Sequence, residues 1–344
     1  MKKIRDSRFE LLRIISMLLI VASHFSLQSV VSWNHINTPL EAVKLLYFDV
    51  LGQPGAIIFF IISGYFAFQS DDFAMQKEKA KNQVKKTLSK TWFYSVSILI
   101  LVWLIFGRQS LKQIAMAVLP FSFTEYWFIS CYIILIAISP WLNKLIKTMQ
   151  YNEFRDLLIV LFILMFPALL NGGIINNLVL AFAGYLSGAF IKRFKDRIDN
   201  ISNKTVVWAM VGVYVLMLIS VACAKMIGIS MYHSGHFTHF PLSYILALCV
   251  FILFSRMKPF KNKTINLLAS GAFAVYLITV HQLMVPILWN NIVPIKIYQN
   301  MGILIPFITI LISVIIYICC ALLDIVLVRA YRSVKMMFRR SRSI

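Results

Sequence analysis

Long apolar blocks alternate with short polar, lysine-rich connectors along this chain of 344 residues. A helix needs about 20 mostly apolar residues to cross the hydrocarbon core of a bilayer. About ten blocks approach that length: 10–31, 47–68, 91–107, 126–146, 154–171, 174–191, 205–225, 239–255, 265–289 and 302–328. They lack the period-two alternation of outer-membrane strands. The shorter stretch 113–123 reads as a re-entrant or interfacial segment. The pattern predicts an all-α integral membrane protein: one membrane domain over 1–344, a polytopic bundle of about ten transmembrane helices, with 329–344 as a basic tail.

Composition sharpens this. Hydrophobic residues make up 60% of the chain and charged residues 14%, against about a quarter charged in a soluble domain. The formal charge of +21 would suggest nucleic acid in a soluble protein, but here it has a membrane explanation. With the N-terminus in the cytoplasm, 28 of the 34 Lys and Arg fall in inside segments, five fall outside, and Arg13 lies within the first block. That asymmetry is the positive-inside pattern for an even number of spans. It predicts both termini in the cytoplasm, a multi-pass protein of the cell membrane with the bilayer as partner, and no nucleic acid. The tail from Arg329 is expected to rest on acidic lipid. The first block, carrying Arg13 and His24, does not read as a cleaved signal peptide. No appended soluble domain and no transporter-like repeat is read from the sequence.

Several residue types add little chemistry. The five cysteines all sit in apolar blocks and read as packing residues rather than a disulfide framework. Six histidines are scattered without metal-ligand spacing, so no metal is expected. His236 and His239 read as outer-loop residues, Asn171, Asn176 and Asn177 as an outer turn, and Asp324, five residues before Arg329, as half of a structural pair near the end of the last helix.

The first block holds the chemistry. An ionisable side chain within a span costs about 2.5–3.5 kcal/mol on insertion scales, and this block carries both Arg13 and His24. Eleven residues place them on one helix face, about 16 Å apart along the axis. Glu10, three residues before Arg13, can pair with it on the same face. Arg13 alone reads equally as a snorkelling edge residue, and His24 alone as an interhelical hydrogen-bonding group. On one stripe they point to a functional face, where a neutral imidazole can serve as general base for a hydroxyl.

The segment FELLRIISMLLIVASHF, with ten residues between Arg13 and His24, resembles the signature of acyltransferase family 3, membrane-bound O-acyltransferases of bacterial surface glycans. Further blocks resemble the family in order: LGQPGAIIFFIISGYFAF (51–68), VKKTLSKTWFY (84–94), YWFISCYIILIAISPWLNKLI (126–146) and SGAFAVYLITVHQLMVPILW (270–289). Two departures stand out. The basic cluster holds Lys85, Lys86 and Lys90 where the family has Arg-x-x-Arg, and Lys meets a phosphate only as a point charge. The family's histidine after Tyr-Leu-Ile is Thr279 here, with His281 two residues later, about 200° away on a continuous helix.

The resemblance implies transfer of an acyl group, acetyl in the family's usual chemistry, from cytoplasmic acetyl-CoA or another acyl-CoA to a hydroxyl of a surface polysaccharide or its lipid-linked sugar precursor. On that reading His24 is the base, Glu10 and Arg13 hold its helix face, and Arg13, Lys85, Lys86 and Lys90 meet the donor's phosphates or pantetheine. Ser63 and the backbone at Gly64 are candidate oxyanion donors. Tyr126, Trp127 and Tyr132 form a sugar-stacking or thioester wall, unless they are an interfacial aromatic belt. His281 is a further substrate-side candidate. A glycan transporter or flippase, and a non-catalytic relative acting as scaffold, are the competing readings. The acceptor and the oligomeric state are not readable.

Overall fold

The computed structural model describes residues 6–32, 36, 38–67, 72–121, 126–166, 174–228, 241–298 and 301–341. Asn171, His236 and His239 lie outside them. Among the described residues every regular element is helical: α1 (Ser7–Ser32), α2 (Pro39–Leu46), α3 (Gly52–Ala67), α4 (Phe73–Phe106), α5 (Leu111–Val118), α6 (Trp127–Thr148), α7 (Tyr151–Ile163), α8 (Ile174–Arg193), α9 (Lys195–Asp199), α10 (Asn203–Met226), α11 (Pro241–Arg256), α12 (Lys263–Ala269), α13 (Ala272–Val280) and α14 (Ile305–Ser341).

Each of the ten apolar blocks contains a helix. Among the described residues, seven helical stretches are long and apolar enough to cross a membrane: Ser7–Val30, Asp49–Ala67, Phe73–Phe106, Trp127–Thr148, Asn203–Met226, Lys263–Val280 and Gly302–Ala330. α11 is apolar but only 16 residues long, and α7 has 13. The segment around 113–123 contributes α5, an eight-residue helix packed against α4 and too short to cross.

Helix boundaries follow local chemistry. Asp72 accepts the Met75 amide to start α4, and Ser202 accepts the Thr205 amide to start α10, which satisfies donors that a helix cannot pair internally. Thr38 and Glu41 form a reciprocal capping box at α2, with proline in its first turn. The lysine-rich connector before the third block is a good helix former, so it joins the block in one 34-residue helix, about 51 Å long and well beyond the hydrocarbon thickness.

α1 runs through the middle of the bundle, against α3, α12, α13 and α14. Its buried Ser7, Ser16, Ser23, Ser26 and Ser29 are small enough for neighbouring backbones to come close. A Cβ on Gly55 would stand 2.6 Å from the Ser16 carbonyl oxygen. The tightest crossing is α3 on α8: a Cβ at Gly64 would overlap the Tyr185 carbonyl, and one at Gly188 the Ile61 carbonyl. The outer surface is apolar, with Leu104, Trp208, Ile303, Phe307 and Val326 exposed, as suits a face solvated by lipid tails.

Three arginines close helix ends. Arg8 donates to the carbonyls of Ser255 (2.9 Å) and Met257 (2.5 Å), Arg256 to Ile198 (2.5 Å), and Arg193 to Ile146. Carbonyls at a helix C-terminus lack internal partners and carry partial negative charge. These cations therefore have structural work in the fold. At Asp6 the Arg8 guanidinium holds the carboxyl below its usual range.

The ninth block is not one helix. α13 stops at His281, whose backbone turns to φ −58°, ψ 127°. Short turns of helix follow over 284–298, including a π-helical stretch at Ile287–Ile292. The chain leaves the helix only at the ψ of His281, so Thr279 and His281 still point about 200° apart, as on a continuous helix.

Candidate active site

Glu10 and Arg13 sit one turn apart on α1, and the Arg13 Nη1 donates to Glu10 Oε1 at 2.5 Å. Glu10 is buried, and the arginine head reaches a cavity of about 310 Å³. Its charged rim combines this pair with Lys86 and Lys90 from α4. Its interior is formed by Met17, Phe59, Ser63, Phe128, Tyr132 and Tyr276. Lys90 also reaches the buried Asp324 of α14, with Nζ 2.7 Å from Oδ1 and 2.9 Å from Oδ2, and the Tyr94 hydroxyl donates to the same carboxylate at 2.8 Å. The expected structural pair at Asp324 therefore exists, with its partner on α4. Lys90 is held as a tethered cation, while Lys86 is exposed at the rim.

The structure thus gathers Glu10, Arg13, Ser63, Lys86, Lys90 and Tyr132 around one cavity. Lys85 is exposed and does not line it. Ser63 lies in the wall, but its hydroxyl donates to the Phe59 carbonyl at 2.7 Å, so its proton is already placed. Gly64 faces α8, and the close approach its missing side chain permits is to the Tyr185 backbone.

Tyr126 is fully buried at the N-cap of α6 and donates to the Leu277 carbonyl at 3.3 Å. Trp127 is partly buried beside it, outside the cavity lining. His281 is fully buried. Its Nδ1 accepts the Leu283 amide at 3.1 Å, and its Nε2 lies 3.4 Å from Ser95 Oγ. A main-chain donor on Nδ1 places the ring proton of a neutral imidazole on Nε2, and Ser95 donates onward to Ala117 at 2.8 Å. This chain ties the break after α13 to α4 and α5, and its proton order opposes activation of Ser95.

His24 lies beyond the cavity on α1, seven residues past Met17, about 10 Å along the axis. Its Nδ1 is buried and has no hydrogen-bond partner. Helical side chains lean toward the N-terminus of their helix, which tilts the imidazole back toward the cavity.

Three members of this neighbourhood carry little sequence signal. Tyr94 and Tyr276 look like any aromatic in an apolar block. The acid at Asp324 is visible, but its lysine partner is 234 positions away.

The acyltransferase domain family matches residues 6–324, nearly the whole chain. The chain belongs to acyltransferase family 3. No curated protein and no solved structure matches it. In this member of acyltransferase family 3 the Arg13–Glu10 pair and the aromatic side chains Phe128, Tyr132 and Tyr276 line one cavity.

Proposed function

We propose that this protein is a multi-pass O-acyltransferase of the cytoplasmic membrane. In this reading about ten spans place both termini in the cytoplasm, and the cavity opens to that side. An acyl-CoA, acetyl-CoA by family habit, enters with its phosphates toward Arg13 and Lys86 and its thioester toward the aromatic interior. The acceptor is a hydroxyl of a surface polysaccharide or of its lipid-linked precursor. His24 removes the hydroxyl proton as the oxygen attacks the thioester carbon. No metal enters the scheme.

The observation that carries the reading is the gathering of Glu10 and Arg13, from the helix that bears His24, with Lys86 and Lys90 of α4 around one cavity. Arg13 and Lys86 offer a polyphosphate one guanidinium and one point charge. The cavity volume is at the lower end for small-molecule sites, which fits the narrow thioester arm rather than a whole nucleotide carrier.

The test is O-acetylation of purified surface glycan, read by NMR, in a null strain complemented with wild type or His24→Ala at matched membrane levels. Wild type restores the acetyl signals and His24→Ala does not. Restoration by both removes His24 from catalysis. Failure of wild type, with glycan missing from the surface, moves the flippase reading to first place.

A further inference from the structure

The reading above needs a hydrogen-bond donor for the thioester carbonyl, and the two sequence candidates are committed elsewhere, Ser63 to the Phe59 carbonyl and Gly64 to the backbone of α8. Tyr276 lines the cavity from α13 and is only 3% exposed. Its hydroxyl is buried with no hydrogen-bond partner. A buried polar group in that state costs about 1–3 kcal/mol, so its retention calls for a ligand that completes it.

The surroundings point the same way. The Tyr276 ring lies 5.4 Å from that of Phe128 and 6.2 Å from that of Tyr126, and the Phe128 main-chain amide points at its oxygen, which leaves the hydroxyl proton without an acceptor. Phe128 is in the first turn of the 22-residue α6, which begins with no capping side chain. Ser130, in the same turn, also has a buried hydroxyl without a partner. A helix N-terminus carries partial positive charge, and outward-pointing amides there favour developing negative charge.

We propose that the Tyr276 hydroxyl, backed by the N-terminus of α6, binds the thioester carbonyl oxygen of the acyl donor and stabilises the oxyanion of transfer. The acceptor oxygen forms a bond to the acyl carbon while His24 takes its proton, and the carbonyl π pair moves onto the oxygen held by Tyr276. Collapse of the intermediate re-forms the carbonyl, breaks the carbon–sulfur bond and expels the CoA thiolate. The thiolate takes the proton from His24, leaving ester and free thiol.

This inference rests on the donor reading, and its test separates the two. The full-length protein in lipid nanodiscs is titrated with acetyl-dethia-CoA, a ketone that keeps the carbonyl in place of the thioester, and with S-ethyl-CoA, which lacks it. Tyr276→Phe keeps the ring and removes only the hydroxyl. The expected result is a loss of about fivefold in affinity for the ketone, with S-ethyl-CoA binding unchanged, which also reports an intact fold. Equal affinities for the ketone in variant and wild type, or equal weakening toward both analogues, overturn the role of Tyr276. Wild type that binds neither analogue overturns the donor reading itself, and this inference with it.

Discussion

At the N-terminal end of α1, Glu10 and Arg13 meet at 2.5 Å, and the neighbouring Lys90 is gripped by both oxygens of Asp324. At the C-terminal end, His24 keeps a buried ring nitrogen without a partner, and Trp289, edge-on to Phe25 at 5.9 Å, keeps a buried indole N–H in the same state. The first end resembles a holding site, with charges fixed in number and direction. The second retains hydrogen-bonding capacity that the fold leaves unused. In the proposed function this difference separates binding from chemistry: fixed cations receive an anionic donor without rearranging, whereas a base needs a free lone pair when substrate arrives.

The strongest way to break this comparison is at His24. His24→Ala is expected to lower acyl transfer by about 10²–10⁴-fold while acyl-CoA binding, measured by titration, stays within about twofold. Comparable loss in both would make the two ends one site. Next in size is a change that touches neither end. Gly64→Val forces a branched side chain into the Tyr185 carbonyl, and overpacking of this kind costs about 1–3 kcal/mol or more. It should appear as a lower thermal midpoint in detergent, with specific activity of the surviving folded fraction preserved.

Within the holding site, Glu10→Gln removes the charge that orients Arg13. Because the arginine side chain is 29% exposed, the effect is reduced from that of a fully buried pair, to about tenfold in the KM for acyl-CoA with little change in kcat. For Lys90 and Asp324, a double-mutant cycle on thermal stability with Lys90→Met and Asp324→Asn is expected to show a coupling of about 1–2 kcal/mol. A coupling near zero would release Lys90 to act as a free phosphate contact. The smallest effect is expected for Lys85→Gln, less than about twofold in KM, since an exposed charge outside the lining is screened by salt.

Much of this architecture was legible in the sequence. Block lengths located the helices, and the three-residue spacing of Glu10 and Arg13 announced their pair, because helix geometry alone brings such residues together. Lys86, Ser63 and Tyr132, which come from three separate blocks of the sequence, line one cavity. The sequence misjudged the ninth block: apolar composition does not reveal that α13 ends at His281, where a main-chain amide and Ser95 fix the ring. It also could not distinguish Lys85 from Lys86, neighbours about 100° apart on α4, of which only the second faces the cavity.

The membrane class, the helical content and the polar face of α1 were determined by the sequence itself, because they depend on hydropathy and on a helical repeat that acts within a few residues. Tertiary structure alone decided which polar groups were spent and which were left over. Asp324 meets Lys90 across 234 positions, Gly64 gives its space to α8, and Tyr276 reaches the first turn of α6 with its hydroxyl unused. Those outcomes depend on helix crossings, which bring together residues with no periodic relation along the chain.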